Sequence, residues 1–346
     1  MTAYQGSPSA RQLSFWKPLL VWQRAYVAAI LAVILLVVNI ELNHWTFSSI
    51  QAVGIANESL PLALAAIGET FVVLTNGIDL STGSIVTLAN VTTAVLAGHG
   101  LAPLGVLVAL GLGAAAGLLN GLIVCYAQIA PLIATLATGS IYVGVALVIL
   151  PYPGGATIPA WLTSWTVGTI SVIPVSAIWL TLAALAGWFF LRRSKFGVDL
   201  QAIGGSEASS WSAGIRVVRV RILAYVASGV CCALAGVVLA GLTTSGDPTI
   251  GAVYLLNAVA ALVVGGTSLS GGVGTLVGSL LGAIVLSLVA SVLFAANFST
   301  NLQFIVTGVI VIGALLAQSA QSKRSARTSQ RRQRSSNTLG EQPASL

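Results

Sequence analysis

The chain has 346 residues, 56% of them hydrophobic and only 7% charged, with a mean hydropathy of +0.96. Soluble domains carry about 25% charged residues, so this composition excludes an ordinary water-soluble globular protein. The net charge of +7 does not point to nucleic acid, because the basic residues are not interleaved with aromatics.

All 15 Lys and Arg residues fall into three clusters. Arg11, Lys17 and Arg24 form the first, and Arg192, Arg193, Lys195, Arg216, Arg219 and Arg221 the second. Lys323, Arg324, Arg327, Arg331, Arg332 and Arg334 form the third. Basic residues flanking spanning helices stay on the cytoplasmic side. Each pair of clusters must therefore be separated by an even number of crossings.

The elements then follow in chain order. The start has basic residues before an apolar run but no small-residue cleavage site after Ile40, where Glu41-Leu42-Asn43-His44-Trp45 stands instead. Residues 1–21 are read as a cytoplasmic segment, and Ala25 to Ile40 as an uncleaved first span. Phe47 to Glu58 is more polar and is expected outside, at the interface. Spans are predicted at Leu60–Thr75, Ser84–Leu96, Leu104–Tyr126, Leu132–Leu150 and Ile173–Leu191. A Pro/Gly/Trp-rich outer loop fills Pro151 to Ser171, and Trp161 and Trp165 in it suit a membrane surface. The polar stretch 194–221 follows. Further spans are predicted at Ile222–Leu242, Ala252–Val264, Thr275–Phe294 and Leu302–Leu316. The expected fold is all-α: a polytopic membrane bundle of about ten transmembrane helices with both termini cytoplasmic. The membrane unit covers 22–318, and the Ser/Arg/Gln-rich tail 319–346 is expected to be disordered.

Chemistry-bearing residues are few. No phosphate loop of the G-x-x-x-x-G-K-[ST] type exists, because none of Lys17, Lys195 and Lys323 follows a glycine. No catalytic residues, cofactor site or metal site are expected. Cys125, Cys231 and Cys232 match no disulfide or zinc spacing and are read as packing residues. His44 and His99 lie near predicted outer loops. Asn90, Asn120 and Asn257 are read as interhelical hydrogen-bonding groups.

Two acids stand out. Glu69 lies inside a predicted span with no basic residue in any span, so it must be protonated, hydrogen-bonded to Ser, Thr or Asn, or facing a wet cavity. That makes it a possible pathway-lining residue. Asp79 is placed to accept backbone N–H bonds at the start of the next helix, with Ser268 or Ser270 doing the same in a second turn. Gly77-Ile78-Asp79-Leu80-Ser81-Thr82-Gly83 echoes Gly266-Thr267-Ser268-Leu269-Ser270-Gly271-Gly272, as structural repeats in transporters do.

Three segments carry a resemblance. Asn76 through Ser84 resembles the hallmark turn of ribose-type sugar ABC transporter permeases. Gly204-Gly205-Ser206-Glu207-Ala208, followed by Ser212-Ala213-Gly214-Ile215, resembles their cytoplasmic coupling loop. Gly265 through Gly272 resembles their third signature. Order and spacing match from about residue 20 to residue 318. Ser206 stands where Asn is usual and Trp211 where a basic residue is common. The resemblance implies a multi-pass permease of the bacterial inner membrane, working as a dimer, most simply of two copies. It implies a cytoplasmic ABC ATPase, often with two fused ATPase domains, a periplasmic sugar-binding protein and a sugar substrate. The loop's own residues agree, since Ser206 is a good N-cap for a short helix to Ala213 that a motor can push. The alternative is a proton-coupled secondary transporter using Glu69 and Asp79.

Overall fold

In lipid an apolar run satisfies its own backbone only as a helix or within a closed barrel, and the long runs here are helical. The computed structural model describes residues 10–43, 48–154, 157–299, 302, 305–310, 312–313 and 316. Its helices are α1 (Ala10–Leu42), α2 (Ser49–Leu74), α3 (Thr82–Gly98), α4 (Ala102–Tyr126), α5 (Pro131–Ile149) and α6 (Ala160–Val167). After a two-stranded antiparallel ribbon, β1 (Thr169–Ile170) and β2 (Ile173–Pro174), come α7 (Val175–Arg193), α8 (Lys195–Gly205), α9 (Glu207–Ser212), α10 (Val217–Thr243), α11 (Ala252–Val264) and α12 (Leu276–Ala295).

Seven of these helices are long and apolar enough to cross a membrane: α1, α2, α4, α5, α7, α10 and α12. Two shorter apolar helices, α3 and α11, stand where the spans Ser84–Leu96 and Ala252–Val264 are predicted. With 17 residues in α3 and 13 in α11, they extend about 26 Å and 20 Å at 1.5 Å per residue, against a hydrocarbon core of about 30 Å. The predicted span 302–316 is helical over 305–310, but part of it, like the tail from 317 onward, lies outside the described residues.

Helix α10 is the central column, packed against α4, α2 and α3. Its crossing with α4 is closed by small residues. A methyl group at Gly113 would meet the Gly229 carbonyl, and one at Gly229 the Gly113 carbonyl, the close approach that holds helices together where lipid supplies no hydrophobic drive. The buried apolar residues of α2, α7, α8, α10, α11 and α12 form one large cluster.

Three boundaries differ from the sequence reading. Residues 49–58, expected outside as a separate polar stretch, are the first turns of α2. Ser48 and Gln51 form a reciprocal capping box there, and Asn57 is buried, donating to the Val167 carbonyl at 3.2 Å and accepting from Ser176 at 2.6 Å. The outer loop 151–171 contains α6. The polar stretch 194–221 is almost wholly helical, because Ser194 caps α8 and α10 already begins at Val217.

Candidate functional site

Helices α2 and α11 end in the same way. After α2, Asn76 takes a left-handed conformation (φ 63°), its N–H donates to Val73 O and the Gly77 N–H to Val72 O. After α11, Gly266 is left-handed (φ 86°), its N–H donates to Val263 O and the Thr267 N–H to Leu262 O. Both are Schellman closures. The internal echo is therefore structural, but its register at the helix end pairs Asn76, not Gly77, with Gly266. The side-chain turn that follows keeps the register read from sequence. Asp79 Oδ1 accepts from the Ser81 N–H at 2.9 Å, and Ser268 Oγ from the Ser270 N–H at 3.3 Å.

The three signature segments converge. The Gly272 N–H donates to the Leu74 carbonyl at 3.1 Å, joining the two turns. Gly204, at the end of α8, lies on that bond: a methyl group there would meet both the Leu74 oxygen and the Gly272 nitrogen. Gly271 lies against Asn76, and Gly272 against Gly205. Thr267 is buried and shares a hydrogen bond with Ser279 at 3.3 Å, and Leu269 packs on Val73, Leu262 and Val263. Ser270 is exposed and Ile78 half-buried.

From this junction α9 projects with Ser206 as its N-cap, the Oγ accepting the Ser209 N–H at 3.3 Å, as the sequence leads one to expect. Glu207 pairs with Arg221 at 2.9 Å. Ala208 is exposed, Gly214 closes the helix at φ 79°, and Ile215 packs on the large apolar cluster.

Deeper in the bundle lies a polar network. Glu69 is fully buried: its Oε1 accepts the Asp79 N–H at 3.0 Å and its Oε2 the Thr82 hydroxyl at 2.8 Å. Of the three environments open to Glu69, the structure provides hydrogen bonding. Asp79 also accepts the hydroxyls of Ser81 at 2.6 Å and Ser228 at 3.2 Å. It is not the helix cap itself, because Ser81 occupies that position. The Leu80 N–H donates to Thr135 Oγ1. Asn120 donates to Ser81 Oγ at 2.7 Å and accepts from Thr138 and Tyr142, so it bridges α4, α5 and the turn as an interhelical group. Among the described residues, neither carboxylate forms an ion pair.

The short helices meet over the same turn. A methyl group at Gly83 would meet the Gly251 carbonyl, the Gly251 N–H donates to Thr87 Oγ1 at 3.0 Å, and the Asp247 N–H to Asn90 Oδ1 at 2.9 Å. The buried Asn90 Nδ2 and the hydroxyls of Thr92, Thr93 and Tyr225 have no hydrogen-bond partner among the described residues. Thr92, Thr93 and Tyr225 were not singled out from sequence. A Thr-Thr pair in a short apolar helix was the only signal for the first two.

The family profile described as "Branched-chain amino acid transport system / permease component" covers residues 51–315. Over 265 residues the chain is 36% identical to the ribose import permease protein of Bacillus subtilis (strain 168), spanning 75% of this chain and 81% of that one. Over 307 residues it is 34% identical to the ribose import permease protein of Escherichia coli (strain K12), spanning 87% and 95%. Over 310 residues it is 30% identical to the D-allose transport system permease protein of the same strain, spanning 88% and 94%. No solved structure matches the chain.

Proposed function

The chain belongs to the family of branched-chain amino acid transport system permease components, and from that premise we propose that it is the membrane-spanning permease of an ATP-driven, binding-protein-dependent sugar importer. It is not itself catalytic, and ATP hydrolysis belongs to a separate partner chain. The sugar permease relatives support the substrate class.

One observation carries the mechanism: Gly204 rests on the hydrogen bond between Leu74 and Gly272. A force on α9 passes through α8 to the ends of two discontinuous helices at once. Transporter sites lie at such breaks, and interface shifts of this kind move packed elements as rigid bodies. The same reading places the face of α9 bearing Ala208 against a cytoplasmic ATPase, in one chain with two fused ATPase domains. It places a second copy of the permease across the transport path, and a periplasmic sugar-binding protein at the far end, near His99 and α6. It keeps ten crossings, both termini inside, and the bacterial inner membrane as the location. Asn90, Thr93 and Glu69 are the residues assigned to the pathway, since a sugar is recognised by hydroxyl, amide and carboxyl groups.

The test is uptake of labelled ribose and allose by vesicles holding permease, ATPase and binding protein. Uptake should require ATP and survive an uncoupler. Uptake without any ATPase that collapses with the proton gradient would replace this reading with a proton-coupled carrier working through Glu69 and Asp79.

A further inference from the structure

Beside α9 runs a groove of about 500 Å³ lined by Tyr126, Trp211, Arg216, Val218, Arg219 and Ile222, among others. Two of its rims are aromatic: Trp211 is 72% exposed and Tyr126 70% exposed. In a membrane protein, Trp and Tyr gather at the headgroup level, which sets this end of α4 and the Trp211 side of α9 at the lipid surface. The floor is apolar, formed by the first turns of α10. Arg216 and Arg219 are both exposed. The nearby carboxylate, Glu207, is already paired with Arg221 at 2.9 Å. The groove thus offers two positive charges above an apolar trough.

We propose that this groove holds one anionic phospholipid of the adjoining leaflet. Its phosphate lies on Arg216 and Arg219, one acyl chain runs along Val218 and Ile222, and Trp211 covers the glycerol region. The charge complementarity selects the occupant: a zwitterionic lipid brings its own ammonium beside the two guanidinium groups, whereas an anionic lipid adds only negative charge. Ala208 lies one turn before Trp211 on the neighbouring side of α9, and this side, with Ser212, stays open to a soluble partner. The coupling helix is then seated between motor and lipid, and Trp211 serves the lipid side. The proposal rests on the reading that this end of the bundle meets the membrane surface. It adds a ligand to the coupling region.

The experiment uses the full chain in nanodiscs of phosphatidylcholine containing a fixed fraction of either brominated phosphatidylglycerol or brominated phosphatidylcholine. The Trp211 signal is the difference between the wild-type protein and Trp211→Phe. Near-surface cations contribute about fivefold each to anionic lipid preference, so roughly 30-fold together. Brominated phosphatidylglycerol should therefore quench Trp211 far more than brominated phosphatidylcholine at equal fraction. Arg216→Gln with Arg219→Gln should make the two lipids equal, and Arg216→Lys with Arg219→Lys should keep the preference. Equal quenching in the wild type overturns the proposal. So does loss of preference in the lysine pair, which would trace the effect to distorted packing. Quenching that vanishes when the ATPase is added assigns the groove to the motor and also overturns it. Sugar uptake measured on the same preparations separates this result from the transporter reading, because selective quenching without any uptake defeats only the latter.

Discussion

At Glu69 one side chain ties two segments: its carboxylate takes the Asp79 N–H and the Thr82 hydroxyl and so fixes the turn between α2 and α3. Glu69→Gln keeps the shape and one acceptor oxygen, and loses about one hydrogen bond, worth about 1 kcal/mol. Glu69→Lys puts an unpaired cation at membrane depth, at a cost of several kcal/mol. The Gln variant should retain most uptake with a slightly lower unfolding midpoint, and the Lys variant should be lost from the membrane. A well-expressed Gln protein with no uptake would indicate proton coupling. Gly204 tests the neighbouring contact. Gly204→Ala sets a methyl group against the Leu74 oxygen and the Gly272 nitrogen, overpacking that costs about 1–3 kcal/mol. Uptake should fall while the protein still reaches the membrane. Normal uptake in that variant would show that force does not pass through this bond. The importance of Glu69 and Asp79 as acids was legible in the sequence, since each is an isolated charge in an apolar setting. Their contact was not, because nothing in a stretch ten residues long says that the chain folds back to present a backbone N–H to the earlier carboxylate.

Among the helices, α9 is the one that touches least of the bundle and so changes function with least damage to the fold. Ala208→Trp places a bulky ring on its exposed side, away from the Glu207–Arg221 pair. Insertion and packing depend on the spans, so the variant should accumulate normally, lose most sugar uptake and bring down less ATPase when the membrane protein is captured. Full uptake with reduced ATPase capture would place the coupling contact elsewhere. The helix was readable because Ser206 is a cap and Gly214 a left-handed terminator (φ 79°). Helix α11 was readable to the residue, because glycines bracket a run of apolar residues. The start of α2 was missed for the converse reason. Asn57, Glu58 and Ser59 look extramembrane in sequence, yet Asn57 finds its partners in residues 110 and 119 positions away, and such pairing leaves no local mark. The shortness of α3 and α11 was legible as well, since the apolar runs Ser84–Leu96 and Ala252–Val264 are themselves short.

For the whole molecule, sidedness decides whether the junction of Leu74, Gly204 and Gly272 can meet a cytoplasmic motor at all. The ends of α2, α8 and α11 gather where Arg192, Arg193, Arg216 and Arg219 lie, and the ends of α3 and α10 lie at the other end of the bundle with α6, where a methyl group at Gly241 would meet Thr166. Basic residues stay inside, so the proposed topology puts the first end in the cytoplasm and the second outside. A background with Cys125, Cys231 and Cys232 replaced by alanine allows single cysteines to report this. Cysteine at Ser212 should react with an impermeant maleimide only in inside-out vesicles or opened cells, and cysteine at His99 or Thr157 should react in intact cells with a permeable outer membrane. Both outer positions are exposed, so silence there cannot be blamed on burial within this chain. Labelling of Ser212→Cys from outside would invert the bundle, remove the junction from any cytoplasmic ATPase and leave the importer mechanism without its point of contact.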